Sequence, residues 1–362
     1  MVMQTQITAI PKLYIGMDIH KKSWSVHFRT DLFDHRGFTM PPEPLQLENY
    51  VDENFADYEV HITYESGCCG FSAARYFSNL GWHTVVVNAA DIPRMNKQNY
   101  QKTDRIDCRN LSKQLQAGQL RAIHIPTEGQ DHLRSLVRQR NCIVRQLRQS
   151  KLQIKGMLLY MGVKIPDQYD NPNWSKAFQE WLKNIQWPNI TATYSMQSKL
   201  RILEVLHLEY LNAANQLRCY CRKHHKKDYY LLKSIPGIGG YLAAALIGEL
   251  GNIRRFDNEK QFSSYIGMIP SMRNSGSSES TLGITPRSKT LVRSYLVEAA
   301  WVTIRRDPEM QAYYRSHFGK NVKNIIVKVA HKLVKRILSV IKNERPYTVN
   351  YRHQTQASLK LD

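Results

Sequence analysis

Between His132 and Pro166 the chain carries no acidic residue, and that stretch constrains the fold more than any other feature. Its basic residues, Arg134, Arg138, Arg140, Arg145, Arg148, Lys151, Lys155 and Lys164, are interleaved with Leu133, Leu136, Val137, Ile143, Val144, Leu147, Ile154 and Leu158 near helical period. The pattern reads as one long amphipathic helix with a cationic face. It divides a chain of 362 residues, enough for two or three domains, into parts of different character.

Before the helix, short strand signals alternate with helical ones. Lys12–Met17 and Lys22–Arg29 read as a hairpin, Glu59–Tyr64 as a third strand and His83–Val87 as a fourth, with helices at about Phe71–Leu80 and Thr103–Gln116. An α/β domain over residues 1–126 follows. A second helical stretch, about Ser195–Lys226, pairs with the acid-free helix as an antiparallel hairpin or coiled coil, giving a basic helical region at 127–228. Residues 229–345 form a third, α-helical unit. It opens on Ser234-Ile-Pro236-Gly237-Ile-Gly239, runs into an apolar helix at Tyr241–Leu250, carries a polar Ser/Gly stretch at Ser271–Gly283 and closes on a helix at about Lys320–Lys342. Residues 346–362 are a tail.

Charge follows the same division. Residues 1–126 hold 13 of the 51 Lys+Arg and 13 of the 30 Asp+Glu, so the whole net charge of +21 lies in 127–362. A neutral front and a basic back suggest a chemical domain joined to polyanion-binding domains. The six cysteines include no C-x-x-C pair, which fits a reducing cytosol better than a disulfide scaffold. Cys219, Cys221, His224 and His225 scatter around a helix axis instead of converging on a metal. There is no signal-peptide pattern and no apolar run of membrane-spanning length, so the expectation is a cytoplasmic protein with no membrane partner.

Four acids carry the chemistry. Asp18 ends the first strand and Glu65 a later one, while Asp104 and Asp107, three apart, share a face on the first turn of a helix. Gathered together, they would repel unless a divalent cation compensates. Mg²⁺, as one ion or two, suits such all-oxygen ligands and the in-line displacement of phosphoryl groups. Each acid alone is as readily a turn or helix cap. Pro236-Gly237-Ile-Gly239 resembles the hairpin of helix-hairpin-helix modules, where backbone N–H groups meet phosphate without reading bases. Ser275 would pass as a loop residue, because no Ser-His arrangement activates it.

Strand-end Asp, strand-end Glu, then D-x-x-D resembles the ribonuclease-H-like fold of Holliday-junction resolvases. The full series is Tyr14-Ile-Gly-Met-Asp18, Glu65-Ser-Gly67, Val87-Asn88, Lys102-Thr-Asp104-Arg-Ile-Asp107, Ser234-Ile-Pro-Gly-Ile-Gly239 and Gly267-Met-Ile-Pro270 leading to Asn274-Ser275-Gly276. In that order, over nearly the whole chain, it resembles the DEDD transposases of bacterial insertion sequences, the bridge-RNA-guided serine recombinases.

The resemblance implies that Asp18, Glu65, Asp104 and Asp107 bind metal and that Ser275 is the nucleophile of a covalent phosphoserine link to DNA, facing the metal site of another protomer. It also implies a dimer of dimers, donor and target DNA, and a structured noncoding guide RNA that selects both by base pairing. Arg134, Arg138, Arg145, Arg148, Lys151, Lys328 and Lys332 are then candidate nucleic-acid contacts, with Gly237 and Gly239 at the turn. Where relatives commonly carry Ser-Lys-x-Gly, this chain has Thr285-Pro286-Arg287-Ser288. Arg287 and Arg293 are the basic residues left near that phosphate position. Two rival readings are a hydrolytic junction nuclease, in which water attacks, and a non-catalytic nucleic-acid scaffold.

Overall fold

A computed structural model describes residues 10–92, 104–275, 278–284 and 288–349, with the backbone alone for 270–284. The chain divides into two compact units, residues 1–127 and 128–362.

In the first unit, β1 (Lys12–Ile19) turns tightly into β2 (Trp24–Thr30), its antiparallel partner, with Ile15 opposite Phe28. The short β3 (Phe38–Met40) adds to the outer edge of β2. After α1 (Pro44–Phe55), β4 (Glu59–Glu65) returns parallel to β1 with Met17 beside Tyr64. After α2 (Ser72–Asn79), β5 (His83–Val87) lies parallel to β4. The sheet order β3-β2-β1-β4-β5 is consistent with a ribonuclease-H-like domain. The hairpin and both later strands fall where the alternation predicts them. β3, of three residues, and α1, started by a proline, carry no clear periodic signal.

Alternation along the strands sorts the two faces. Leu13, Ile15, Met17, Val60, Ile62 and Tyr64 share a buried core with Leu47 and Val51 of α1 and Ala74 and Phe77 of α2. Tyr14, Gly16 and Asp18 lie on the other face, and there α3 (Asp104–Gln116) crosses β1. Gly16 makes that crossing possible. A Cβ on it would stand 2.1 Å from the Cys108 carbonyl oxygen and 2.6 Å from the Ser112 nitrogen. The buried Cys108 thiol reaches the Ser25 carbonyl at 3.1 Å, and Ser112 meets His27 Nδ1 at 2.9 Å, so α3 is also fastened to β2.

The second unit opens with α4 (Glu128–Tyr160), which takes in most of the acid-free stretch but starts four residues earlier, adding Glu128 and Asp131 in its first turn, and ends six earlier. It forms a helical hairpin with α6 (Ile190–His224). Leu133 and Val137 share a core with Leu217 and Cys221, whereas Ile154 and Leu158 share another with Met196 and Leu203, so the helices run in opposite directions. The connection, opaque in sequence, holds α5 (Lys176–Lys183). Its Phe178 and Leu182 are buried in that second core beside Trp174, Trp181 and Trp187.

Next come α7 (Lys226–Lys233), α8 (Gly240–Leu250) and α9 (Glu259–Ile266), then α10 (Thr290–Arg306), α11 (Pro308–Arg315) and α12 (Val322–Asn343). The apolar α8 and α12 are the centre of one large core. This part is not purely helical as the sequence suggested. The polar Ser/Gly stretch is a two-stranded hairpin, β6 (Pro270–Ser275) against β7 (Ser278–Ile284), with Asn274 opposite Glu279. Small polar residues gave it neither alternation nor β-branched enrichment. Among the described residues no helix is long and apolar enough to cross a membrane.

Candidate metal centre

The parallel register of β1 and β4 sets the geometry. With Met17 beside Tyr64, Asp18 and Glu65 are the next positions on neighbouring strands and share the face covered by α3. The close approach at Gly16 brings the first turn of α3, with Asp104 and Asp107, toward the same sheet edge.

Asp18 is the centre of this group. Burial raises the pKa of its carboxyl group. His20 opposes that rise, and the negative charges of Asp104 and Asp107 add to it. His20 Nε2 lies 3.2 Å from Asp18 Oδ2 and 3.9 Å from Asp104 Oδ2. One ligand atom each from Asp18, His20 and Asp104 falls within 4.8 Å of the others. Glu65 and Asp107 are not part of this closest set. Glu65 is half-buried at the sheet edge, and Asp107 acts on Asp18 through its charge. Burial, with help from Asp18, raises the Cys108 thiol far above its usual range, so it remains protonated against this cluster.

These carboxylates repel one another, and a hard divalent cation would relieve that repulsion with oxygen ligands already converging. The donor set therefore fits a divalent metal. His20 was not singled out in the sequence. Its signal is the Asp18-x-His20 spacing, which returns to the same side just past the strand end.

Ser275 ends β6 in the second unit, and its side chain lies outside the described residues, as does Arg287. The basic candidates separate. Arg138, Arg145 and Arg148 on α4 and Lys328 on α12 are exposed. Lys151 is half-buried with its ammonium 5.3 Å from the Trp174 ring centre, and Lys332 sits 3.6 Å from that of Tyr313. Arg293 donates to Ser288 Oγ at 2.9 Å.

Arg134 must be withdrawn from the nucleic-acid set. It is buried, donates to Asp131 Oδ1 at 2.9 Å and lies 3.8 Å from the Glu249 carboxylate. Gly237 has a packing role beside its expected place at the phosphate-binding turn. It has φ +92°, and a Cβ on it would stand 2.3 Å from Thr303 Oγ1. It is the close contact between the turn and α10, where Thr303 donates to the Pro236 carbonyl at 2.8 Å. Gly239 is exposed and caps α8 with open space beside it. The sequence reading missed Arg218, Arg222 and Lys233, which line a cleft beside Gly240 at the same helix start.

Two family models match the chain. A DEDD model of the IS110 type, described as Transposase, covers residues 15–161, and one described as Transposase IS116/IS110/IS902 family covers 229–315. The transposase for insertion sequence element IS1111A of Coxiella burnetii is 25% identical over 80% of this chain and 78% of its own length. That of IS1328 of Yersinia enterocolitica is 25% identical over 81% and 84%. The pilin gene-inverting protein of Moraxella bovis is 29% identical over 36% of this chain and 41% of its own. With both models matched in order and relatives of this kind, the findings support placing the chain among the IS110-group transposases, enzymes that act on DNA.

Proposed function

We propose that this chain cleaves and exchanges DNA strands in a Mg²⁺-dependent reaction through a covalent phosphoserine at Ser275, guided by a structured noncoding RNA. One observation carries the reading: Asp18 and Asp104, far apart in sequence, are brought with His20 within 4.8 Å of one another at a single sheet edge. Asp18, Asp104 and Asp107, with Glu65 and His20, would hold the ion. When bound, it supplies positive charge to oxygens that become negative during phosphoryl transfer.

The residues of the chain do the rest. The Ser275 oxygen attacks phosphorus and forms a phosphoester as the sugar oxygen departs. The energy of the phosphodiester stays in that link, so a new strand end rejoins by the reverse attack without ATP. Serine and carboxylates come from different protomers of a dimer, paired again into a tetramer around donor and target DNA. Exposed Arg138, Arg145, Arg148 and Lys328, with Gly239, Lys151, Lys332, Arg287 and Arg293, hold nucleic-acid backbones, while base pairing to the RNA reads sequence.

The test is Ser275→Ala on a cognate DNA. The proposal expects loss of the protein–DNA adduct and of strand exchange, with the fold and metal affinity unchanged. A hydrolytic nuclease would still nick, and a scaffold would respond to neither Ser275→Ala nor Asp104→Asn.

A further inference from the structure

The same sheet face carries a second converging set at its opposite end. Glu59 and His61 alternate along the start of β4, so both point to the face that Tyr14 occupies on β1. His83 begins β5 directly beside His61 in the parallel register. Glu59 and Glu65 are six residues apart on one strand, about 20 Å at ~3.3 Å per residue, so this set is separate from the carboxylate centre.

His61 Nε2 and His83 Nε2 lie 3.2 Å and 3.0 Å from the same oxygen, Glu59 Oε1. All three ligand atoms fall within 4.8 Å of one another. Ligands about 2.1 Å from a metal ion at adjacent positions stand roughly 3.0 to 3.4 Å apart, depending on whether the site is octahedral or tetrahedral. The two separations from Glu59 Oε1 fall in that range.

The surroundings hold the ligands in place. The His61 ring is stacked between Tyr14, at 5.3 Å, and His83, at 4.7 Å. Its buried Nε2 has no hydrogen-bond partner, although Glu59 stands within ion-pair distance. Burial lowers the His61 pKa, and Lys12 and His83 add to the effect against the pull of Glu59. Lys12 Nζ approaches the other oxygen, Oε2, at 3.8 Å and leaves Oε1 free to ligate. The His83 side chain is 63% exposed, so the set opens to solvent and leaves room for water ligands.

We propose that Glu59, His61 and His83 form a two-histidine, one-carboxylate site for a late first-row divalent ion such as Zn²⁺. It bridges β4 and β5 at the end of the sheet away from the carboxylate centre. Two imidazoles select this class over Mg²⁺, which prefers oxygen donors.

The test is equilibrium dialysis of the full-length chain against Zn²⁺ with metal analysis. An Asp18→Asn, Asp104→Asn background silences the first centre. The expected result is one tightly held equivalent in that background. His83→Gln, at an exposed position that leaves the fold intact by circular dichroism, should weaken it at least about 100-fold, because even outer-shell partners of a metal site are worth 10- to 100-fold. Glu59→Gln should act alike. Zn²⁺ should raise the unfolding temperature of the background protein and not that of its His83→Gln derivative. If the background protein takes up no zinc, or His83→Gln takes up as much, the site does not exist.

Discussion

Gly16→Ala adds one methyl group at the point where α3 lies on β1. The new Cβ would stand 2.1 Å from the Cys108 carbonyl oxygen, about 0.9 Å inside the 3.0 Å that real Cβ contacts respect, and 2.6 Å from the Ser112 nitrogen. Both neighbours are backbone of one helix, so neither yields alone and α3 must withdraw by about 1 Å. Overpacking of this kind costs roughly 1–3 kcal/mol. The larger effect is chemical, because α3 carries Asp104 and Asp107 while Asp18 stays on β1. A misplacement of about 1 Å costs on the order of 100-fold in rate, near 2.7 kcal/mol of barrier. Thermal unfolding followed by circular dichroism, Mn²⁺ affinity and DNA cleavage measure the three consequences. A Gly16→Ala protein with wild-type Mn²⁺ affinity and cleavage would show that the close packing does not set the geometry of the carboxylates.

Glu249 is 3% exposed and faces Arg134 and Arg138, so Glu249→Ala removes one of the two acidic partners of the buried Arg134, which keeps Asp131, and should cost about 1–3 kcal/mol in denaturant unfolding. Asp307 is buried, accepts from the Glu309 and Met310 amides at 3.0 and 3.2 Å, and binds Arg336 and Tyr347. Asp307→Ala should therefore destabilise by about 3–5 kcal/mol, and Asp307→Asn by less. His27 has its pKa lowered by burial, with Asp34 pulling the other way. Its contribution is complete above the unfolded value near 6.5 and is lost as pH falls from there toward the folded value, because the unfolded chain binds the proton more tightly. Urea midpoints between pH 7 and 5 should fall more steeply for wild type than for His27→Gln.

Much of the first unit was legible because strand alternation and neighbouring helices leave strong periods, and because Asp104 and Asp107 fall on the first turn of a helix with an evident start. The residues at the edges of that pattern were hidden. His20 lies past the strand end and gains meaning only when α3 closes over β1. Glu59, His61 and His83 read as ordinary strand residues until the parallel register sets His83 beside His61. Charge predicts a cationic second unit but not how each cation is used. Arg134 looks like its neighbours on α4, yet its partner Glu249 is 115 residues away and redirects it into the fold. Gly237 fits a phosphate-binding turn by sequence, and the approach of Thr303 from α10 adds a packing demand that the sequence does not show.

The most direct measurement is an anomalous difference map from crystals of the full-length chain grown with Mn²⁺. A peak about 2.2 Å from carboxylate oxygens of both Asp18 and Asp104, lost in Asp104→Asn, is the predicted result. Density confined to other parts of the molecule, with these two side chains turned away from each other, would contradict the account.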